Sequence, residues 1–191
     1  MNENSHHFSR VYVPQANDLV LGIVVGTRSS DSGASQYYAC DIGSSITGLL
    51  DSTAFEGADR KTMRGRVTIG TVLFCRIVEA DKNTSFCLMS CVSEDGRGTG
   101  FGPLKDGYLF PVSPKTIYRL RANITSRSKN IPRIIGKEFN YEFACGSNNR
   151  VWIRGETHDS TLLVQTIIQR LDMVPLEKVP ALVERAKSFL Q

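Results

Sequence analysis

Arg60, Lys61, Arg64 and Arg66 crowd one short segment, and Lys115, Arg119, Arg121, Arg127, Lys129, Arg133 and Lys137 follow later with no acidic residue between them. Fixed cations at that density neutralise phosphates and release the counterions that a polyanion holds. A solvated surface is the bland reading of one such run, but two runs, each in or beside a loop, favour phosphate contact. The net charge of +4 and the pI near 8.9 agree, though weakly by themselves. Bond-making chemistry is harder to find. Asp41, Asp51 and Glu56 form no motif of the kind that brings carboxylates together on two metal ions. The histidines are His6, His7 and His158, and no nucleophile–base signature accompanies them. Cys40, Cys75, Cys87, Cys91 and Cys145 make no CxxC pair and sit mostly in apolar, strand-like runs. Cys87 and Cys91 fall about 13 Å apart along a strand at ~3.3 Å per residue, too far to share a metal. Buried, reduced thiols are therefore expected, with no catalytic residue, no metal and no cofactor.

The elements that must carry the cations come in two styles. Globular composition is clear from 41% hydrophobic and 22% charged residues. No apolar run nears the ~20 residues that a membrane-spanning helix needs, so no membrane partner is expected. After a polar tail over 1–16, residues 17–95 alternate short β-branched runs with Gly, Ser and Asp: "DLVLGIVVGT", "YYACDIG", "SITGLL", "GTVLFCRIVEA" and "SFCLMSCVS". Five strands that short predict a small closed barrel of the five-stranded OB type. Alternation in the second run points Tyr38, Cys40 and Ile42 inward and Tyr37, Ala39 and Asp41 outward. Tyr37 is thus an aromatic on the outer face, and 56–68 is the basic loop before the fourth strand.

A Gly-dense stretch follows, with Gly96, Gly98, Gly100 and Gly102 at alternate positions. No Lys-Ser/Thr and no strand-to-helix setting accompany it, which argues against a nucleotide cradle. Residues 96–106 read instead as a junction between domains, with Arg97 as its cationic candidate for RNA. Residues 107–191 change period. "GYLFPV" predicts a strand, and Ser113-Pro114 caps a short helix with Ile117 and Leu120 on one face. "RIIGKEF" is ambiguous, "EFNYEFACG" and "RVWIRG" predict two strands, and Thr157 caps a helix carrying Leu163, Val164, Ile167, Ile168 and Leu171. An amphipathic helix over roughly 175–190 ends the chain. The fold class is mostly β plus α+β: an OB barrel followed by a three-stranded, KH-like α+β domain with a C-terminal helix.

Barrel plus KH-like domain, read with four specific stretches, resembles a known family. "YVPQANDLVLGIV" (12–24), "FEGADRK" (55–61), "GRGTGFGPLKDGYLF" (96–110) and "GSNNRVWI" (146–153) fall in the order found in RNA exosome cap subunits, in the branch called ribosomal RNA-processing protein forty. Within the barrel, Gly22, Cys40-Asp41-Ile42-Gly43, Gly48-Leu49-Leu50, Gly70 and Asp81 resemble the OB repeat named after ribosomal protein S-one. The resemblance implies a non-catalytic subunit whose partners are single-stranded RNA, exosome ring subunits and other cap subunits, in the nucleus, nucleolus and cytoplasm. It also implies a domain ahead of the barrel, where about ten residues precede the first motif here. Asp51 stands where such repeats often carry an RNA-facing histidine, which weakens that face. A stand-alone RNA-binding factor of the same two folds remains the competing reading.

Two glycine-led turns could each serve RNA. KH domains clamp nucleotides with a GXXG loop between two helices. The nearest match, Gly136-Lys137-Glu138-Phe139, has a carboxylate and a bulky ring in place of the rest, so the clamp is expected to be broken. Gly146, Ser147, Asn148 and Asn149 lie instead between the last two strands, directly ahead of Trp152, the only tryptophan. Packing of this turn and Trp152 at the junction of the two domains is the favoured reading over direct RNA contact. Asn at the fourth position tolerates the left-handed backbone that a glycine would otherwise supply.

Overall fold

A computed structural model describes residues 11–30, 35–57, 67–81, 83–97, 100–122 and 130–189. The first half holds strands β1 (Leu19–Ser29), β2 (Gln36–Asp41), β3 (Thr47–Phe55), β4 (Val72–Ala80) and β5 (Phe86–Cys91). Antiparallel pairing links β1 to β2, β2 to β3, and β4 to both β5 and β1, while β3 and β5 run parallel. That set closes on itself, so none of the five strands is left as a bare edge. Val20, Cys40, Ile42, Leu50, Leu73 and Ile77 fill the inside. Tyr38, Cys40 and Ile42 are buried as alternation requires. Ala39, expected outside, is buried as well; its register partners on the flanking strands are Gly26 and Leu49.

Within the Gly-dense stretch a short strand, β6 (Gly102–Leu104), pairs with β4 and widens the barrel wall on one side. The second half then builds a sheet from β7 (Tyr108–Pro111), β8 (Tyr141–Cys145) and β9 (Arg150–Gly155), in the order β7-β9-β8. Helices α1 (Pro114–Arg121), α2 (Ile131–Ile135), α3 (His158–Arg170) and α4 (Val179–Lys187) cover it, with a 3₁₀ turn at Leu176–Lys178 leading into α4. α1 begins where the Ser113 hydroxyl accepts the Thr116 N–H and Pro114 supplies a preset φ. α3 begins with a reciprocal cap between Thr157 and Ser160.

The small sheet is buried on both faces, and strict alternation does this. Phe110, Val151 and Cys145 are neighbours across it and enter the core made by the helices, with Ile117, Leu120, Ile135, Val164 and Ile168. Leu109, Trp152 and Ala144 form the next row and point the other way. They meet Leu21, Val72, Phe74 and Leu104 on the outer wall of the barrel. At roughly 25 cal/mol per Å² of apolar area removed from water, this second contact helps hold the two domains together.

Candidate nucleic-acid interface

The turn ahead of β9 is the polar half of that contact. Asn148 is buried, and its carboxamide copies a strand's peptide group. The Leu21 N–H donates to Asn148 Oδ1 at 3.1 Å, and Asn148 Nδ2 donates to the Leu21 and Ile42 carbonyls at 2.8 and 2.9 Å. Ser147 N–H donates to the Leu19 carbonyl at 2.7 Å. Asn149 takes φ +58, the left-handed region in which Asn is the best substitute for glycine. A Cβ on Gly146 would overlap Asn148 Oδ1 and stand 3.0 Å from the Leu21 nitrogen, so only glycine lets the turn sit this close to β1. Arg150 adds an ion pair across the same seam, with Nη2 at 2.7 Å from Asp41 Oδ2 and Nη1 at 2.8 Å from the Asp41 carbonyl. Burial pushes the Asp41 carboxyl up, but the Gly43 N–H and the Arg150 guanidinium outweigh it and hold the group below the usual carboxylate range. Beside the turn, Gly107 has no room for a side chain because the Trp152 ring occupies that space.

The outer face of the barrel is open by contrast. Tyr37 stands in register with Arg28 on β1 and Asp51 on β3, which puts the three side chains in one row across the strands. Arg28 is exposed, whereas Tyr37 and Asp51 are partly covered. Asp51 turns back on its own strand, accepting from the Thr53 N–H at 2.7 Å and the Thr53 hydroxyl at 2.6 Å. Arg28 was missed in the sequence because it lies in no charge run; its register partner Tyr37 was the available signal. Arg97 is exposed beside the Gly-dense stretch. Arg60, Lys61, Arg64 and Arg66 lie outside the described residues, as do Arg127 and Lys129 of the second run.

The second run of cations divides when folded. The guanidinium of Arg119 donates to the Leu171 carbonyl and, at 2.8 Å, to the Val174 carbonyl, tying off the end of α3. Lys115 Nζ donates to the Asp172 carbonyl at 2.8 Å, and Arg121 Nη1 to the Ser147 hydroxyl at 2.6 Å. Asp172 accepts from Ser113 and Thr116 at 2.6 and 2.7 Å. Burial raises its carboxyl, but these bonds and the Lys115 and Arg119 charges bring it below the usual range. A cleft of about 990 Å³ opens beside this network, between Tyr12 and Gly43 of the barrel and Val112, Asn149 and Gln169 of the second domain.

Gly136-Lys137-Glu138-Phe139 is not where a KH clamp would be. The segment follows α2 rather than joining α1 to α2, and Gly136 caps α2 with an ordinary right-handed φ of −66. Phe139 is buried in the core under the helices. The connection between α1 and α2, residues 122–130, contains no glycine at all. All five thiols are buried and free. Burial pushes Cys40 up to about 12 and Cys87 and Cys145 up to about 11, which leaves them protonated near neutrality and poor as nucleophiles or ligands. Cys75 is raised too, mainly through its contact with Cys91, whose sulfur lies 3.4 Å away. No group of three His, Cys, Asp or Glu side chains among the described residues is arranged to hold a metal ion, and no described helix is long and apolar enough to cross a membrane.

Three likenesses to known proteins follow the same architecture. The chain is 28% identical over 167 residues to exosome complex component rrp40 of Schizosaccharomyces pombe, covering 87% of this chain and 65% of that protein. It is 32% identical over 159 residues to exosome complex component RRP40 of Bos taurus, covering 83% of this chain and 54% of that one. The chain thus spans between half and two thirds of the length of these relatives. A crystal structure assigned to an exosome complex RNA-binding protein superposes with a TM-score of 0.72 at 19% identity, covering 95% of this chain and 99% of the other, which shows a shared fold. The family model for the S1 domain of exosome complex component RRP40 matches residues 12–102, all five barrel strands up to the start of β6. By that match the barrel is similar to the S1 domain of RRP40, and the relatives extend the likeness to exosome complex components of that name into the second domain.

Proposed function

We propose that this chain is a non-catalytic cap subunit of an RNA exosome, which sits with other cap subunits on the ring and helps lead single-stranded RNA to the central channel for 3′-to-5′ processing and degradation. The observation that carries the reading is the match of the closed barrel to the RRP40 S1 domain. On this reading the barrel's outer face does the RNA work. Arg28 and Tyr37 provide a cation and a stacking surface in one row, and exposed Arg97 together with Arg60, Lys61, Arg64 and Arg66, which precede β4 in the sequence, are the further cationic candidates. Gly146, Ser147, Asn148, Asn149 and Trp152 fix how that face is presented by locking the second domain to it. The buried, protonated thiols support a role without catalysis. Ribosomal RNA precursors and other transcripts in the nucleus, nucleolus and cytoplasm are the substrates of such a complex.

Affinity purification of the chain from its own cells tests the assembly: exosome ring and cap subunits should co-purify, and their absence would remove the cap reading. For RNA, reversing Arg60, Lys61, Arg64 and Arg66 together should flatten the salt dependence of binding by up to ~3 units, at ~0.7 per phosphate on single strands. Tight, sequence-selective binding by the isolated chain would point instead to a stand-alone factor. Degradation of RNA by the purified chain, abolished by a point change within it, would make it an enzyme.

A further inference from the structure

We propose that the outward face of α1 is a second contact for single-stranded RNA, a stacking platform on Tyr118 flanked by Lys115 and Arg121. The inference rests on the RNA-binding reading above and adds a site in the other domain. α1 turns Thr116, Ile117 and Leu120 into the core. Lys115, Tyr118 and Arg121 are three apart and share the opposite face, where side chains at that spacing are neighbours. Tyr118 is 74% exposed, the most open of the large apolar side chains on this domain's helices. An aromatic ring left in water at the centre of a cationic face has no folding role, because the core contacts of α1 are complete without it.

Both cations are positioned rather than waving. Lys115 holds the Asp172 carbonyl and Arg121 the Ser147 hydroxyl, yet each has donors left over, two on the ammonium and four on the guanidinium. The nearby Asp172 carboxylate is already taken by Ser113 and Thr116. Nothing acidic occurs from residue 107 to residue 137, so the field at Tyr118 favours a polyanion. A protein partner's anchoring aromatic is normally ringed by apolar contacts that exclude water. Here charge surrounds the ring, and a base stacked on Tyr118 with phosphates on either side satisfies both.

The platform is separate from the barrel's row. Arg121 reaches the turn that bonds to Leu19, whereas Arg28 lies at the other end of β1, up to about 30 Å along the strand at ~3.3 Å per residue. A short RNA can occupy one site, and a longer one both, with a gain in apparent affinity from the linkage.

The test uses the full chain, fluorescence anisotropy, and oligouridylate of about 20 nucleotides. Tyr118→Ala should weaken binding about 5- to 150-fold, the range that loss of one stacked base gives, and should leave the salt slope unchanged. Tyr118→Phe should restore binding, since the ring is what stacks. Lys115→Gln should lower the slope by ~0.7. Both Tyr118 variants should melt with the wild-type protein, as the side chain is exposed. If Tyr118→Ala binds as wild type while the four-charge reversal at 60–66 abolishes binding, the platform is wrong and the barrel reading stands. Loss of a co-purifying protein with RNA affinity intact would make α1 a protein-docking face and overturn the proposal. No RNA binding by the wild-type chain, alone or in its complex, would overturn the RNA reading and the platform together.

Discussion

Two glycine-led polar turns of the second domain, Gly136-Lys137-Glu138-Phe139 and Gly146-Ser147-Asn148-Asn149, look alike in the sequence and behave as opposites. The first ends a helix. Gly136 donates to the Pro132 carbonyl at 2.9 Å with a backbone that any residue adopts, and Phe139 drops into the core. Lys187 reaches across from α4 to the Glu138 carbonyl at 2.6 Å, so even the exposed part is occupied within its own domain. The second turn sends its polar groups out of its own domain and into the barrel. Glycine is replaceable in one and required in the other because only the second lies against another backbone. A loop's composition announces a close approach; what approaches it is decided by the packing of the rest.

Variants can break or sharpen that contrast. The largest effect should come from Trp152→Ala, which empties the apolar half of the seam: about 3–5 kcal/mol lost in chemical denaturation, the usual range for a buried Trp. Separate unfolding of two halves in the wild-type protein would contradict a single cooperative unit. Asn148→Ala should follow at about 2–3 kcal/mol, since the Leu21 N–H and the Leu21 and Ile42 carbonyls would be left buried without that partner. Asn148→Asp should not rescue it, because a carboxylate has no N–H to give the two carbonyls. A variant as stable as wild type would show that water enters the seam freely.

Acid should act on the same seam more gently. The Asp41 carboxyl is held below its ordinary 3.8, so its contribution is complete above that value and is lost as the pH falls from there through the lowered folded-state value. Melting midpoints measured from pH 6 to pH 3 should therefore drop less steeply for Asp41→Asn. The difference should be about 0.5–1 kcal/mol, that of a partly exposed pair, with the Asp172 share remaining. The smallest effect belongs to Gly136→Ala. The backbone suits alanine, while the new Cβ would sit 3.3 Å from the Pro132 carbonyl. These offset, and stability should stay within about 0.5 kcal/mol of wild type. A loss of several kcal/mol would mean that this turn, too, is under a close approach.

Period-2 alternation and turn residues were enough to read the barrel strands, and the Ser113 and Thr157 caps marked both helix starts where they occur. Local signals failed where burial came from elsewhere. Ala39 alternates outward by rule but is buried in the fold, and β6 looked like linker because its pairing with β4 is set by the closed barrel, not by its own residues. The candidate site is the least legible part. Tyr37 could be placed on the outer face, yet Arg28 joins it only through strand register. Lys115, Arg119 and Arg121 read as one charge run, although folding commits Arg119 to the end of α3 and leaves the other two facing out. Charge runs record composition along the chain, whereas a binding face is a property of the surface.

Asn148 meets Leu21 across 127 positions of chain. In a protein made from its N-terminus, β1 is complete long before the side chain that pairs with it exists. Until then Leu21 offers its peptide group, and Val72, Phe74 and Leu104 offer their apolar surface, to water or to any other passing chain. Contacts of such long sequence separation form late, because their loop must close before they return any stabilisation. The newly made barrel is therefore a finished shape with an open seam, a surface that a holding chaperone would recognise, and the arrival of "GSNNRVW" is the step that makes it inert.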